Sequence, residues 1–177
     1  MASRLGDGDR ALGYLERVAP RFDPATMYVE SGPVIETPLS AAQSIHDLLL
    51  GNRGGAILVF PAAPSTWLDV AFHELRAEGA FLVSAARRGG KTAFVGIRSL
   101  AGEPCRVRAD LGPVARLGGD LRGTIPAAAD GSYALDLAAG QWAVLYRDGE
   151  DAPDTRLLPV QIPASALNPY GLKPVQD

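Results

Sequence analysis

Two carboxylates, Glu30 and Glu36, stand six residues apart at the start of the stretch that runs from Glu30 to Pro61. Carboxyl groups can transfer protons in a reaction, so this segment is the first candidate for chemistry. Six extended residues span about 20 Å, so the two groups could cooperate only if Gly32-Pro33 folds the loop back. Thr37-Pro38 follows directly, and this pair is typical of a helix start, with a hydroxyl N-cap before proline.

The two histidines do not predict a metal centre. His46 lies on the polar flank of the helix that follows Thr37, and His73 is remote from it in sequence, so neither has a second ligand at a suitable spacing. The run GGKT at residues 89–92 has the wrong glycine spacing for a phosphate-binding loop, and strand-like segments flank it. The sequence therefore predicts neither a metal nor another cofactor.

The cysteine and the tryptophans have structural interpretations that compete with functional ones. Cys105 alternates with Val107 and predicts a small core residue. Trp67 and Trp142 could stack on sugar rings, but aromatic residues of a small β domain usually lie in its core.

Composition excludes several classes of partner. The chain has 177 residues and a formal net charge of −3, so it lacks the basic field that binds nucleic acid or anionic membranes. No stretch has the apolar length of a membrane span, and charged residues and glycine follow Met1 where a signal peptide would be apolar. We expect no nucleic acid or membrane partner and no export signal in this chain, and its compartment is left open.

Two helices are predicted in the first third of the chain. The first spans residues 9–18, with Asp7 or Asp9 as N-cap. The second begins at Thr37-Pro38, which places Glu36 just before the cap, beside the positive end of the helix dipole. Gly51-Asn52 is the expected stop. The predicted buried stripe of the second helix consists of Leu39, Ala42, Ile45, Leu48 and Leu49.

Strand-like patterns begin at Gly54-Gly55 and continue to Arg147. Short apolar or alternating runs with glycine-rich turns predict at least six strands, with hairpins at Gly89-Gly90 and Ala139-Gly140. The fold class is therefore α+β, with an antiparallel β-sandwich after two helices. We divide the chain into helices at 1–54, a sandwich at 55–148 and a Pro-rich tail at 149–177 that is either an extended strap or disordered.

Two helices ahead of a sandwich leave apolar stripes that they cannot cover by themselves. Either the helices dock on the sheet to form a small α+β protein, or the chain is the C-terminal part of a larger helical protein. The hydrophobic pattern of the sequence does not distinguish these two alternatives.

Several motifs between Leu5 and Arg147 favour the second alternative. The segment from Gly32 to Pro61, LRAEGAF at residues 75–81 and RSLAGEPCRV at residues 98–107 together resemble the C-terminal end of glycoside hydrolase family 95, the α-L-fucosidase-like enzymes. In that family the last helices of an (α/α)6 barrel lead into a C-terminal β-sandwich. The resemblance implies that the two helices end an incomplete barrel.

The resemblance also implies the site residues. Glu36 matches the position of the family's general base, although Thr37 and Pro38 stand where the family has Gly and Asn. Glu30 and Thr37 would then contact the carbohydrate substrate. Inverting hydrolysis needs two carboxyl groups about 6.5–9.5 Å apart, and no residue here matches the family's general acid. We expect the chain alone to be inactive. The alternatives are a non-catalytic β-sandwich module that binds carbohydrate or protein and, less favoured, a structural remnant of a truncated gene.

Overall fold

The first helix forms as its sequence predicts. The computed structural model of the chain describes residues 2–23 and 35–156. Helix α1 spans Gly8–Val18, and the Asp7 side chain caps it by accepting a hydrogen bond of 3.1 Å from the Arg10 backbone N–H. Short 3₁₀ turns precede it at Ser3–Leu5 and follow it at Ala19–Arg21. Of the two predicted N-cap candidates, Asp7 is the residue that caps the helix.

The second helix, α2, spans Glu36–Leu49 and begins earlier than predicted. Ile35 is the N-cap residue and makes no side-chain cap, so the assignment of Thr37 as cap was wrong and Glu36 is the first helical residue. Proline is tolerated throughout the first helical turn, because the backbone N–H groups there have no partner within the helix. Pro38 therefore fits as the third residue of α2 as well as it would fit at the expected start.

Helix α2 ends directly before the predicted stop at Gly51-Asn52, with Leu50 as its C-cap residue. The first strand begins at Leu50, so the expected change from helix to strand at Gly54-Gly55 was wrong. Strand β1 spans Leu50–Arg53 and pairs antiparallel with β2, Ala56–Val59. Gly54 and Gly55 form the connecting turn with φ of 59° and 72°, a conformation that glycine adopts easily. The sequence LGNR has too little apolar alternation to reveal β1.

The remaining strands follow the expected glycine-rich turns closely. The structure describes β3 at Val70–Ala77, β4 at Phe81–Arg88, β5 at Lys91–Ser99, β6 at Cys105–Arg108, β7 at Val114–Gly119, β8 at Gly123–Pro126, β9 at Ser132–Leu135 and β10 at Trp142–Arg147. The hairpin at Gly89-Gly90 is confirmed, since β4 pairs antiparallel with β5 across it.

In the described residues, the strands form two sheets. The larger is antiparallel, with the strand order β3-β4-β5-β10-β7-β8, and the smaller has the order β1-β2-β6-β9. In the smaller sheet β2 and β6 are parallel, so the expectation of purely antiparallel pairing was wrong there.

The predicted hairpin at Ala139-Gly140 was also wrong. Strand β9 pairs with β6 in the smaller sheet, whereas β10 lies between β5 and β7 in the larger one. The turn between them therefore connects the smaller sheet to the larger one.

One hydrophobic core contains residues from both sheets. It includes Val83, Val95, Val107, Leu137 and Leu145, each fully buried. Cys105 belongs to this core, as predicted, and burial raises the pKa of its thiol to about 12. The overall class is α+β, with two helices and a large six-stranded antiparallel sheet in the described residues.

The helices dock beside this core through a small second cluster. Ala11 of α1, Leu48 of α2 and Ala62 of the loop after β2 pack together, with Trp67 against them. Gly8 approaches that loop so closely that a Cβ atom on it would lie 2.1 Å from the Ala62 carbonyl oxygen. The Asp9 carboxylate accepts a hydrogen bond of 2.7 Å from the Ser65 N–H. The docking expected of a small α+β protein is therefore present.

Residues 151–156 of the predicted tail have no regular secondary structure, and the tail beyond them lies outside the described residues. Neither described helix has the length and apolar character that crossing a membrane requires.

Candidate functional site

The residues predicted to form a site lie around the first turn of α2. Glu36 is its first residue and is exposed to solvent, with its carboxylate near the positive end of the helix dipole. Thr37 is half-buried and turns toward α1. Glu30 lies outside the described residues, so its position relative to Glu36 is not part of the structure. The structure thus brings Glu36 and Thr37 into one turn, with different surroundings.

Thr37 contributes to a groove between α1 and α2 with a volume of about 300 Å³. Small and hydroxyl-bearing residues of α2, including Ser40, Ala41 and Ser44, form one wall. Ala11, Leu15 and Val18 of α1 lie on the other side. Glu36 is not among the lining residues, because a rotation of 100° per residue directs it away from Thr37.

Only the C-terminal part of the apolar stripe predicted for α2 is buried: Leu48 is fully buried and Leu49 packs against the core, as predicted. Ile35, Leu39 and Ile45 are 54%, 59% and 44% exposed, whereas Leu48 is 0% exposed. The buried side of α2 consists of Leu48, Pro38 and the small residues that meet α1. The expectation that Leu39, Ala42 and Ile45 face the core was therefore wrong, because α1 and the sheet cover a different face.

The two tryptophans have different environments. Trp67 is half-buried against the cluster that holds the helices on the sheet. Trp142 is 38% exposed and lies beside a groove on the outer face of the six-stranded sheet. The interpretation as a packing residue suits Trp67, and Trp142 keeps an accessible ring.

The histidines lie apart, and no group of three or more His, Cys, Asp or Glu in residues 2–23 and 35–156 is arranged to hold a metal ion. His46 is half-buried, and its Nδ1 is without a hydrogen-bond partner among those residues. The His73 side chain is 70% exposed beside Glu74.

Sequence reasoning did not predict the irregular backbone at His73 and Glu74, whose side chains lie close together. These residues form a β-bulge in β3, where the pairing with β4 shifts between Phe72 and Leu75. A signal was present, since Phe72 and Leu75 both belong to or pack on the core although they are three residues apart instead of two. The irregular spacing could have predicted the bulge, although not its partner.

Charged residues on the other sheet form a separate network. Asp130 accepts hydrogen bonds from Ser132 Oγ at 2.6 Å and from the Ser132 N–H at 3.0 Å. Arg106 and Arg108 contact its other oxygen at 2.6 and 3.2 Å. The bonds from Ser132 first, and then the charge of Arg106, lower the pKa of Asp130 to about 2. This network ties β6 to the loop before β9 and has no clear catalytic arrangement.

Comparison of the chain with protein-family models and with curated proteins finds no match.

Proposed function

We propose that this chain forms the C-terminal region of a glycoside hydrolase that resembles the family 95 α-L-fucosidases. In this proposal α1 and α2 are the last helices of an (α/α)6 barrel, and the two sheets form a β-sandwich that supports it. The complete enzyme would hydrolyse O-glycosyl bonds with inversion, acting on a carbohydrate without a cofactor.

The observation that supports this proposal is the exposed apolar face of α2. Ile35, Leu39 and Ile45 lie on the side that neither α1 nor the sheets cover. A soluble domain rarely leaves a row of large apolar side chains on one helix without a neighbour. In the proposed enzyme, further barrel helices would cover this row.

The position of Glu36 is compatible with the role of general base. Glu36 is exposed and lies three residues before Leu39, so the two side chains are neighbours on the helix surface. The helices that would cover Leu39 would thus also approach Glu36. A general acid would have to come from those helices, about 6.5–9.5 Å from the Glu36 carboxylate, to leave room for the attacking water.

The test joins the full chain to the barrel of a family 95 α-L-fucosidase, in place of that enzyme's own C-terminal region. We expect the chimera to hydrolyse an aryl α-L-fucoside and Glu36→Gln to lower kcat by roughly 10²–10⁴-fold, since a general base contributes about that much. Azide should partly restore the activity of Glu36→Gln, because a small nucleophile can replace the activated water.

Two controls make the result decisive. Glu16→Gln on α1 removes another exposed helix carboxylate and should leave kcat unchanged. The chain alone should show no turnover. A soluble, folded chimera without activity would contradict the proposal, as would turnover by the isolated chain that Glu36→Gln abolishes.

A second candidate is a non-catalytic module that binds carbohydrate or protein through the sheets. The groove beside Trp142 favours this candidate, because an accessible indole at a concave surface is suited to a sugar ring. Carbohydrate binding that persists in Glu36→Gln, without activity of the chimera, would favour the module over the hydrolase.

A further inference from the structure

The outer face of the six-stranded sheet contains a hollow at Gly96. Gly96 of β5 lies directly opposite Ser84 of β4 on one side and Val144 of β10 on the other. Ser84, Gly96 and Val144 therefore lie side by side on three neighbouring strands. Because glycine has no side chain, the middle position is empty, and a cavity of about 150 Å³ lies there. A glycine inside a strand often marks a place where a ligand approaches the backbone.

The β-bulge in β3 places two polar side chains at one edge of this hollow. His73 and Glu74 both lie opposite Ser84, and Glu74 has a φ of 48°, which a residue with a side chain rarely adopts. Ser84 Oγ accepts a hydrogen bond of 2.9 Å from the Glu74 N–H and lies 3.1 Å from His73 Nδ1. The Ser84 hydroxyl therefore stabilises the strained backbone of the bulge. Bulges and strained residues are both common next to binding and active sites.

The opposite edge carries an aromatic ring and a guanidinium group. Trp142 of β10 pairs directly with Arg98 of β5, one row away from Gly96. The buried Phe94 contributes apolar surface to the cavity, and Thr155 also lines it. The hollow thus combines an apolar surface with hydrogen-bond donors and acceptors. Its two charged residues, Glu74 and Arg98, are of opposite sign.

We propose that this hollow binds one neutral pyranose unit of an oligosaccharide. A sugar ring has an apolar C–H face, which would stack on the Trp142 indole, and hydroxyl groups that both donate and accept hydrogen bonds. Glu74 would accept from these hydroxyls, while Arg98 would donate to them. An anionic ligand would meet the Glu74 carboxylate and a cationic one the Arg98 guanidinium, so the mixed charge selects a neutral ligand.

The site does not depend on Glu36 or on a barrel. It lies on the six-stranded sheet, whereas Glu36 lies on α2, and it gives the carbohydrate-binding alternative a defined position. Sugar can therefore bind at Gly96 even if the hydrolase proposal fails. In the same way, the chimera can be active even if no sugar binds at Gly96.

The experiment titrates the full chain with neutral oligosaccharides: 2′-fucosyllactose, xylohexaose, cellohexaose and galactohexaose. The chain has two tryptophans, so Trp67→Phe leaves Trp142 as the only indole. We expect a saturable change in Trp142 fluorescence with at least one of these sugars, and calorimetry should give the affinity of each variant.

Three variants test the geometry. Trp142→Ala removes the stacking surface, Glu74→Gln removes the carboxylate, and Gly96→Val fills the hollow. An added Cβ at Gly96 would lie 3.6 Å from the Ser84 carbonyl oxygen, an ordinary contact, so the Cβ atom itself causes no clash with the backbone. We expect Trp142→Ala and Gly96→Val to weaken binding about tenfold or more, and Glu74→Gln to weaken it less, since its amide still accepts a hydrogen bond.

Tyr14→Ala is the matched control, because Tyr14 is 48% exposed on α1, away from the hollow. Thermal melts establish that each variant is folded, and Glu74→Gln tests the site if Gly96→Val does not fold. The proposal is overturned by the lack of a saturable response to all four sugars, by full affinity in Trp142→Ala, or by equal loss in Tyr14→Ala. Binding of sulfated oligosaccharides alone, or of protein alone, would also overturn it.

Discussion

At the scale of single residues, Asp130 shows how an exposed carboxylate can organise one surface of a sheet. Its oxygens accept hydrogen bonds from Ser132, Arg106 and Arg108, and these partners lower its pKa to about 2 from an ordinary value of 3.8. Arg106 and Arg108 alternate with the buried Cys105 and Val107, so the contacts lie on the outer face. The charged network thus lies on one face of strand β6, and the core lies on the other.

The lowered pKa predicts a pH-dependent contribution to stability. The ionised form of Asp130 is favoured in the folded state, so its contribution should be complete above about pH 4 and should fall between about pH 4 and pH 2. Asp130→Asn should therefore be less stable than the natural chain at neutral pH, and the difference should shrink over this range. Urea unfolding at successive pH values measures it.

Asp136→Asn is the control for this prediction, because it removes one negative charge outside the network. Subtracting its effect leaves the part that belongs to Ser132 and the two arginines. A difference between Asp130→Asn and the natural chain that stays constant from pH 7 to pH 2 would contradict the prediction, because it would show that folding does not lower the pKa of Asp130.

At the scale of elements, α2 has two apolar faces with different roles. Leu48 is fully buried among α1 and the loop after β2, whereas Leu39 is 59% exposed. The sequence predicted the helix and the burial of Leu48 correctly, but the expected burial of residues 39, 42 and 45 was wrong. Helical period shows where apolar residues gather, and it does not show which neighbour reaches them first.

The two faces can be compared with the same substitution. Leu48→Ala should lower the free energy of unfolding by about 2–5 kcal/mol, because it leaves a cavity in a fully buried site. Leu39→Ala should change it by less than about 0.5 kcal/mol, because its side chain is already in water. Chemical denaturation of both variants makes the comparison. Equal destabilisation would mean that Leu39 is covered in solution.

At the scale of the whole molecule, stability is unequally distributed. The core shared by the two sheets contains large buried side chains, including Phe81, Ile97, Leu111 and Tyr133. The cluster that holds the helices has only Ala11, Leu48 and Ala62 as buried apolar members among the described residues. Less apolar surface is buried there, so the helices should open more easily than the sheets.

Hydrogen exchange tests this difference. Backbone amides of α1 should exchange faster than those of β5 and β10, which lie inside the six-stranded sheet. In Leu48→Ala, exchange in α1 should accelerate further, while exchange in β5 should change less. Equal protection of α1 and β5 in the natural chain would instead indicate that helices and sheets unfold as one cooperative unit.

The sequence by itself determined the local elements whose signals lie within a few residues. The Asp7 cap of α1, the turn at Gly89-Gly90 and the inward alternation of Cys105 and Val107 are as predicted. The first two depend on short-range backbone geometry, and the third on the strict alternation of side chains along a strand. Such features do not require knowledge of a distant partner.

Only the tertiary structure decided which elements meet. The parallel pairing of β2 with β6, the separation of β9 from β10 and the exposed face of α2 depend on residues far apart in the chain. The hollow at Gly96 has the same origin, since a bulge in β3, a glycine in β5 and a tryptophan in β10 form it together. Local pattern predicts burial, but strand order and register determine which side chains share a surface.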